Sequence, residues 1–449
     1  MDPRQETVVE AGWIIPVEPA AVVLRDHAVV VSGERIQEIL PSRQARVRYP
    51  DARRMDLSGH ALIPGLINLH THAAMALMRG LGDDLGLMEW LNQHIWPAEM
   101  RLASPEFVHD GTLLACAEML RGGVTCFNDM YFFPEAAARA AIGAGMRAAL
   151  GIIIIDFRSQ YATDAPDYLS KGLSTRDALK QESLLSFCLA PHAPFTVSDS
   201  VFERVAVYAD ELDLPVHIHV HETEEEIRES IASHKVRPLR RLQQLGLVGP
   251  NLIAVHAVQL GDDEIALLAE HGCHVAHCPS SNLKLASGIA PVAALHEAGV
   301  NVGLGTDGAA SNNRLDVLME LRLAALLAKG NSGKPTALPA HVSLQMATLN
   351  AARALGLDHA VGSLTPGKLA DMTAVDFSGL ELSPCYDPLS HLVYVAGREN
   401  VSHVWVNGEL LVEHGRLTRL DTEELRGKVA YWQERIGSAD PGLKRGAKP

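Results

Sequence analysis

Ala61-Leu62-Ile63-Pro64-Gly65-Leu66-Ile67-Asn68-Leu69 is an apolar run that stops on His70-Thr71-His72. It is too short for a core helix and is bounded by polar residues, which predicts a buried strand whose C-terminal end carries chemistry. Comparable runs recur at residues 124–130, 148–155, 184–190, 215–220, 252–255, 274–278 and 300–305. Between them lie segments of helical length and patterning, at 105–121, 134–145, 200–212, 224–245, 262–272 and 292–299. Strand–helix units repeated to a total of eight strands predict an α/β protein built on a TIM-type (β/α)8 barrel, from about residue 61 to about residue 370.

The two ends read differently. Residues 7–60 and 371–417 hold short Val-rich runs broken by Gly, Asn and Asp; in Val404-Trp405-Val406-Asn407-Gly408-Glu409-Leu410-Leu411 the break is an Asn-Gly hairpin signal. Neither end alone has enough strands to bury a sheet face. The expectation is therefore one small β-sandwich domain assembled from both termini, residues 1–60 and 371–449, with the barrel inserted and a terminal helix near 422–436. Residues 437–449 are polar and are expected to be loose.

Composition narrows the function. A chain of 449 residues with 47% hydrophobic and 21% charged content is globular, and a formal charge of −15 argues against a general nucleic-acid binder, which needs excess Lys and Arg. The longest apolar run, 148–155, falls far short of the roughly 20 residues that span a bilayer. Met1-Asp2-Pro3-Arg4-Gln5-Glu6 has no basic stretch leading into an apolar one, so a cytoplasmic protein with no membrane partner is expected. Cys116, Cys126, Cys188, Cys273, Cys278 and Cys385 are too sparse for a disulfide scaffold and read as buried thiols. The oddity is 21 histidines in a chain with only 5% aromatic residues, so their placement matters.

In a barrel of this type, reactive groups gather at the C-terminal ends of the strands. Strand one runs into His70 and His72, strand four into His192, strand five into His219 and then Glu222, strand six into His256, and strand eight into Asp307. Core histidines scattered at random would not stop at the same end of strand after strand. Imidazoles two residues apart on an extended chain point the same way, and a third histidine with a carboxylate completes a nitrogen-rich set suited to Zn²⁺ or Fe²⁺. His217, His219 and His221 alternate on one face and cannot all be ligands. His219 is chosen because Glu222, just past the strand, can face the ion's water without ligating, while His217 lies deeper and His221 has at most a supporting place.

Two look-alikes are set aside. Gly303-Leu304-Gly305-Thr306-Asp307-Gly308 matches a dinucleotide fingerprint formally, but it comes eighth in the strand series with no second nucleotide-binding half. Cys273-His274-Val275-Ala276-His277-Cys278 is too closely spaced for four ligands to converge and reads as strand seven. Glu224-Glu225-Glu226 reads as a solvated first helical turn.

With these residues in place, the chain closely resembles the amidohydrolase superfamily. Pro64-Gly65-Leu66-Ile67-Asn68-Leu69-His70-Thr71-His72, the His219 and Glu222 pair, His256 and Gly305-Thr306-Asp307-Gly308 match its motifs in order, and Gly367-Lys368-Leu369-Ala370-Asp371 looks like its return into the β-domain. Within it, the 5-methylthioadenosine/S-adenosylhomocysteine deaminase group is the best match, on residues 68–80, Glu89-Trp90-Leu91, Pro97-Ala98-Glu99, Asp129-Met130-Tyr131-Phe132, Ser280-Ser281-Asn282-Leu283-Lys284-Leu285 and residues 305–313. The resemblance implies one Zn²⁺ per subunit, with Fe²⁺ as the alternative, on His70, His72, His219 and Asp307. A single ion follows because the place of the bridging lysine of two-metal relatives is taken here by His192, and Lys180 precedes the strand.

The resemblance further implies hydrolytic deamination of an adenine nucleoside. Glu222 would protonate N1, Asp307 would take the proton of the attacking water, and His256 would polarise the attacking oxygen. Glu99 would bind the ribose hydroxyls, His192 the sugar side, Trp90 would wall the 5′ pocket and Ser311 would lie near the purine. A homodimer or tetramer is implied as well. One departure bears on substrate: strand three ends in Gly151-Ile152-Ile153-Ile154-Ile155, and Arg158 is the first residue available to meet a homocysteine carboxylate. An apolar strand end favours methylthioadenosine over S-adenosylhomocysteine, with adenosine also accepted. The rival readings are guanine or other nucleobase deamination, triazine dechlorination, and a non-catalytic scaffold. Glu99 argues against a free base, and a complete ligand set argues against a scaffold.

Overall fold

The computed structural model describes residues 6–439. Eight strands form the barrel sheet in chain order: Leu66–Thr71, Val124–Asp129, Arg147–Ile154, Leu185–Pro191, Val216–Val220, Leu252–His256, His274–His277 and Asn301–Leu304. Successive strands pair in parallel. Strand three, Arg147–Ile154, is buried at every position, as a strand between a packed barrel interior and an outer layer of helices must be. The helices start where local chemistry lets them. Ser104 accepts the Phe107 N–H at 3.1 Å with Pro105 in the first turn, opening Pro105–Arg121. Asp164 does the same for Ala165–Leu179 by accepting the Asp167 N–H at 3.0 Å.

Strand eight meets strand one through specific contacts. The Asp307 N–H donates to the His70 carbonyl at 3.0 Å. One residue earlier, the Thr306 N–H donates to Asn68 Oδ1 at 2.9 Å while Asn68 Nδ2 donates to Thr306 Oγ1 at 2.8 Å. Gly305 sits in this seam: a Cβ there would lie 2.9 Å from both the His70 nitrogen and its Cβ. The glycines that mimic a nucleotide fingerprint thus let the last strand approach the first.

Three expectations change in detail. The run at 61–69 is not one strand: residues to Pro64 belong to Arg53–Pro64 of the terminal sheet, and the barrel begins at Leu66. Gly65 makes the passage possible, since any Cβ there would collide with the Thr125 side chain at 2.1 Å. The helix expected over 224–245 is two, Glu224–His234 and Pro238–Gln244. Lys235 turns left-handed at φ 65 and Pro238 has no N–H to continue the ladder. The sandwich from the two termini is a single mixed sheet of eight strands in which Met372–Asp376 runs antiparallel to Arg53–Pro64. Val31, Met372, Trp405 and Leu410 of this sheet belong to one buried apolar cluster.

A buried ion pair fastens this sheet to the base of the barrel. Arg147 Nε donates to Asp371 Oδ2 at 3.0 Å, and Asp371 Oδ1 also receives the Asn407 N–H at 2.8 Å. The terminal helix, Thr422–Ala439, is held to Pro105–Arg121 by Lys428 and Trp432, both donating to Asp110. Most of the stretch 437–449 expected to be loose lies outside the described residues. Among the described residues all six cysteines are free, and no helix is long and apolar enough to cross a membrane.

Candidate functional site

The strand ends converge as the barrel requires. His70 Nε2 and His72 Nε2 lie 3.1 and 3.2 Å from the same oxygen, Asp307 Oδ1. His219 Nε2 faces His70 Nε2 at 3.3 Å. The four donor atoms of His70, His219, His256 and Asp307 all lie within 4.8 Å of one another. His256 thus lies in this tight group, and His72 joins it through the Asp307 oxygen that it shares with His70.

Each ring has its other nitrogen pinned from outside. His70 Nδ1 faces His217 Nε2 at 3.0 Å, His72 Nδ1 the Met130 carbonyl at 2.6 Å, His219 Nδ1 the His192 carbonyl at 2.7 Å, and His256 Nδ1 Asn282 Oδ1 at 2.8 Å. His72 and His219 must donate from Nδ1 to those carbonyls, which leaves Nε2 to turn inward. Asp307 is oriented in the same manner: Ser281 and Ser311 both donate to Oδ2 at 2.6 Å, so Oδ1 is the oxygen left for the cluster. Rings fixed by an outer partner with lone pairs facing inward, plus one carboxylate, fit a divalent transition ion. Among the described residues, His70, His219, His256 and Asp307 could hold a metal ion, with His72 on the same Asp307 oxygen as His70.

The electrostatics agree with that fit. Burial, reinforced by the neighbouring rings, holds His219 well below the usual imidazole value, so it is a neutral donor. Burial also opposes charge on Asp307, yet the hydrogen bonds from His70 and His72 hold it well below the usual carboxylate range. Burial works against a charged His72 too, but contact with Asp307 overrides it and carries the ring up to about 9. A cation in the cluster takes over the charge that this proton supplies.

Above the cluster opens a cavity of about 300 Å³. His72, His192, His219, Glu222, His256 and Asp307 face it from the barrel side. Trp90, Glu99 and Arg158 face it from the other walls, Arg158 as an exposed residue. Trp90 and Glu99 come from residues 87–102, a helical stretch interrupted by a π turn at Leu91–Ile95. Glu222 Oε2 lies 3.7 Å from His256 Nε2, and burial raises its carboxyl above the ordinary value. Burial likewise pushes Glu99 up to about 7. Ser311 is not among the residues lining this cavity, but its hydroxyl donates to Asp307, which is. His221 stands apart, accepting the Leu239 N–H at 3.0 Å on Nε2. Lys180 is exposed and paired with Asp177, away from the strand-four end.

Several contributors had no role assigned to them from the sequence. Ser281 and Asn282 follow strand seven directly, and the strand-end rule that found the histidines points to them equally. Ser287 donates to Glu222 Oε1 at 3.4 Å. Glu226, grouped with the solvated turn, is buried, whereas Glu224 and Glu225 are exposed.

Known proteins resemble this chain over nearly its whole length. A 5-methylthioadenosine/S-adenosylhomocysteine deaminase of Teredinibacter turnerae is 50% identical over 429 residues, covering 96% of this chain and 97% of that one. A 5′-deoxyadenosine deaminase of Methanothermobacter thermautotrophicus is 43% identical over 411 residues, covering 88% and 96%. An adenosine deaminase from Xanthomonas campestris, solved with bound zinc, superposes with a TM-score of 0.95 at 49% identity, covering 97% of this chain and 99% of that one. The model of the amidohydrolase family matches residues 61–411. With the barrel, the strand-end histidines and this match in agreement, the chain belongs to the amidohydrolase family.

Proposed function

We propose that this protein is a metal-dependent hydrolase that removes the 6-amino group of adenine nucleosides bearing a small 5′ substituent, releasing ammonia and the hypoxanthine analogue. 5′-Methylthioadenosine is the foremost substrate, with S-adenosylhomocysteine and adenosine as further ones. The observation that carries the reading is the pairing of Glu222 with His256, 3.7 Å apart beside the metal-binding group, in one cavity with a buried carboxylate, Glu99, on a facing wall. Deamination must both attack the ring and protonate it, and a buried acid beside the ion meets the second need. A ribose-binding carboxylate has no purpose for a free base. The names of the relatives at 50% and 43% identity support the same substrate class.

One zinc ion per subunit is proposed on His70, His72, His219 and Asp307, with His72 as a ligand because its Nε2 reaches the same Asp307 oxygen as His70, and His256, also in the tight group, left for the attacking oxygen; the same donors also suit Fe²⁺. Zinc is supported by the ion bound in the Xanthomonas campestris structure. When bound, the ion supplies Lewis-acid activation of the attacking water. The chain's own residues do the rest. Glu222 delivers a proton to N1 as C6 becomes tetrahedral, Asp307 accepts the water proton and passes it to the departing amine, and His256 polarises the attacking oxygen. Glu99 accepts the ribose hydroxyls and His192 contacts the sugar. Trp90 walls the 5′ side, where Ile153, Ile155, Phe157 and Phe195 offer an apolar surface to a methylthio group. Arg158, at the exposed edge, is the cation available to a homocysteine carboxylate.

The test is to measure bound metal and then ammonia release from methylthioadenosine, S-adenosylhomocysteine, adenosine and guanine side by side. Release from the nucleosides, fastest from methylthioadenosine, is expected; none from any adenine nucleoside by zinc-loaded protein overturns the assignment. Glu222→Gln is expected to keep zinc and lose nearly all turnover, and retained activity overturns its proton role.

A further inference from the structure

Thr223-Glu224-Glu225-Glu226 has the spacing of a capping box, in which the last glutamate reaches back to the N–H of the capping residue itself. Only half of that box forms. Thr223 Oγ1 accepts the Glu226 N–H at 3.2 Å, but the Glu226 carboxylate reaches past Thr223 to the two residues before it. Oε1 accepts the His221 N–H at 3.0 Å and Oε2 the Glu222 N–H at 2.8 Å. Consecutive N–H groups aimed at one carboxyl group require a left-handed residue in the turn, and His221 has φ 58, an unfavourable conformation for a residue with a side chain; burial pushes the Glu226 carboxyl up to about 8, and these two N–H groups work against that rise. The rest of His221 is fastened as well. Its carbonyl accepts the N–H groups of Val258 and Gln259 at 2.9 and 2.8 Å, and its ring Nδ1 faces the Gln259 carbonyl at 3.0 Å. The turn after strand five is thereby locked to the turn after strand six, which carries His256. Of the residues in this turn, only the Glu222 side chain is turned toward the cavity.

We infer that Glu226 is a positioning residue for Glu222: its carboxylate holds the left-handed turn that aims the Glu222 side chain at the substrate and sets its distance to His256. Glu226 acts through the backbone and is absent from the cavity lining. This rests on the reading of Glu222 as the proton donor.

The experiment compares Glu226→Gln, Glu226→Ala, Glu222→Gln and the double variant Glu222→Gln/Glu226→Gln with the wild type, in kcat, KM and bound zinc. Glutamine fills the same space but sets an amide NH₂ against one of the two N–H groups, so it tests the contact even where alanine disturbs folding. Glu226→Gln is expected to lower kcat by about 10- to 100-fold with KM within about 3-fold and zinc at the wild-type level. Added to Glu222→Gln, it is expected to cost nothing more, because both act through one group. Wild-type kcat in Glu226→Gln while Glu222→Gln is inactive overturns the positioning role and leaves the proton donor standing. A full additional loss in the double variant, or zinc lost in step with kcat, also overturns it. Full activity in Glu222→Gln overturns the underlying reading instead.

Discussion

Asn282 Oδ1 lies 2.8 Å from His256 Nδ1, and it is the group that fixes which way this imidazole faces. Asn282 is itself buried at the start of the helix that follows strand seven. Replacing it with leucine keeps the volume and removes the acceptor. Asn282→Leu is expected to lower kcat/KM by about 10- to 100-fold, the range found when the outer partner of a site histidine is lost. Steady-state kinetics with methylthioadenosine check this, and wild-type turnover would mean that His256 is oriented by packing alone.

Glu99 gives a pH dependence with a definite sign. Burial pushes its carboxyl up to about 7, partly offset by the Tyr131 hydroxyl and by His72. Accepting two ribose hydroxyls requires the ionised form, whose share grows as pH rises. KM for adenine nucleosides is therefore expected to fall by about 10-fold between pH 6 and 8, following the ionised fraction of a group titrating near 7. Glu99→Gln should raise KM and flatten its pH profile. A flat profile in the wild type would remove Glu99 as the responsible group.

Two glycines should respond oppositely to one added methyl. At Gly305 a Cβ meets the backbone of His70 at 2.9 Å and Cys278 Sγ at 3.0 Å, so Gly305→Ala must push strand one away from strand eight. Loss of bound zinc and of activity is expected. At Gly143, inside the helix Pro134–Ala144, a Cβ meets nothing within 4 Å. Gly143→Ala is expected to leave activity unchanged and to stabilise by up to about 1 kcal/mol. Metal analysis and thermal unfolding of the two variants measure the contrast.

The pair Arg147–Asp371 is 5% and 3% exposed, and removing one partner strands a buried charge. Asp371→Ala is expected to cost about 3–5 kcal/mol, read as a shift of the unfolding midpoint. Asp371→Asn, which keeps an acceptor for Arg147 and for the Asn407 N–H, should cost less. Equal losses from the two would mean that the charge contributes nothing.

Much of this was legible in the sequence, for a physical reason. Parallel strands buried on both faces are uniform apolar runs, and imidazoles that repeatedly end such runs have no packing explanation. What escaped was whatever one-letter identity does not distinguish. Glu226 differs from Glu224 and Glu225 only in being buried, which depends on where the turn after strand five leads. Ser281 and Asn282 lie in a segment that carries the resemblance, but being neutral they show no role until Asp307 and His256 are placed beside them. The spacing of His70 and His72 marks a pair that reaches one Asp307 oxygen, whereas the approach of His256 to His70, His219 and Asp307 depends on distances across the barrel interior, which do not follow spacing along one strand. Gly65 reads as part of an apolar run, although it marks the passage from one sheet to the other.

The sheet assembled from both termini also bears on the order in which the molecule is made. Arg53–Pro64 pairs on one side with Thr7–Ile14 and on the other with Met372–Asp376. The first partner emerges from the ribosome beforehand, and the second only after the entire barrel has been synthesised. At about 5–20 residues per second, that strand edge waits roughly 15–60 s, open to other chains. Nascent-chain protection of residues 53–64, by a chaperone or by the growing barrel, is thus a requirement of the topology, and fragments truncated before residue 372 should aggregate through this edge.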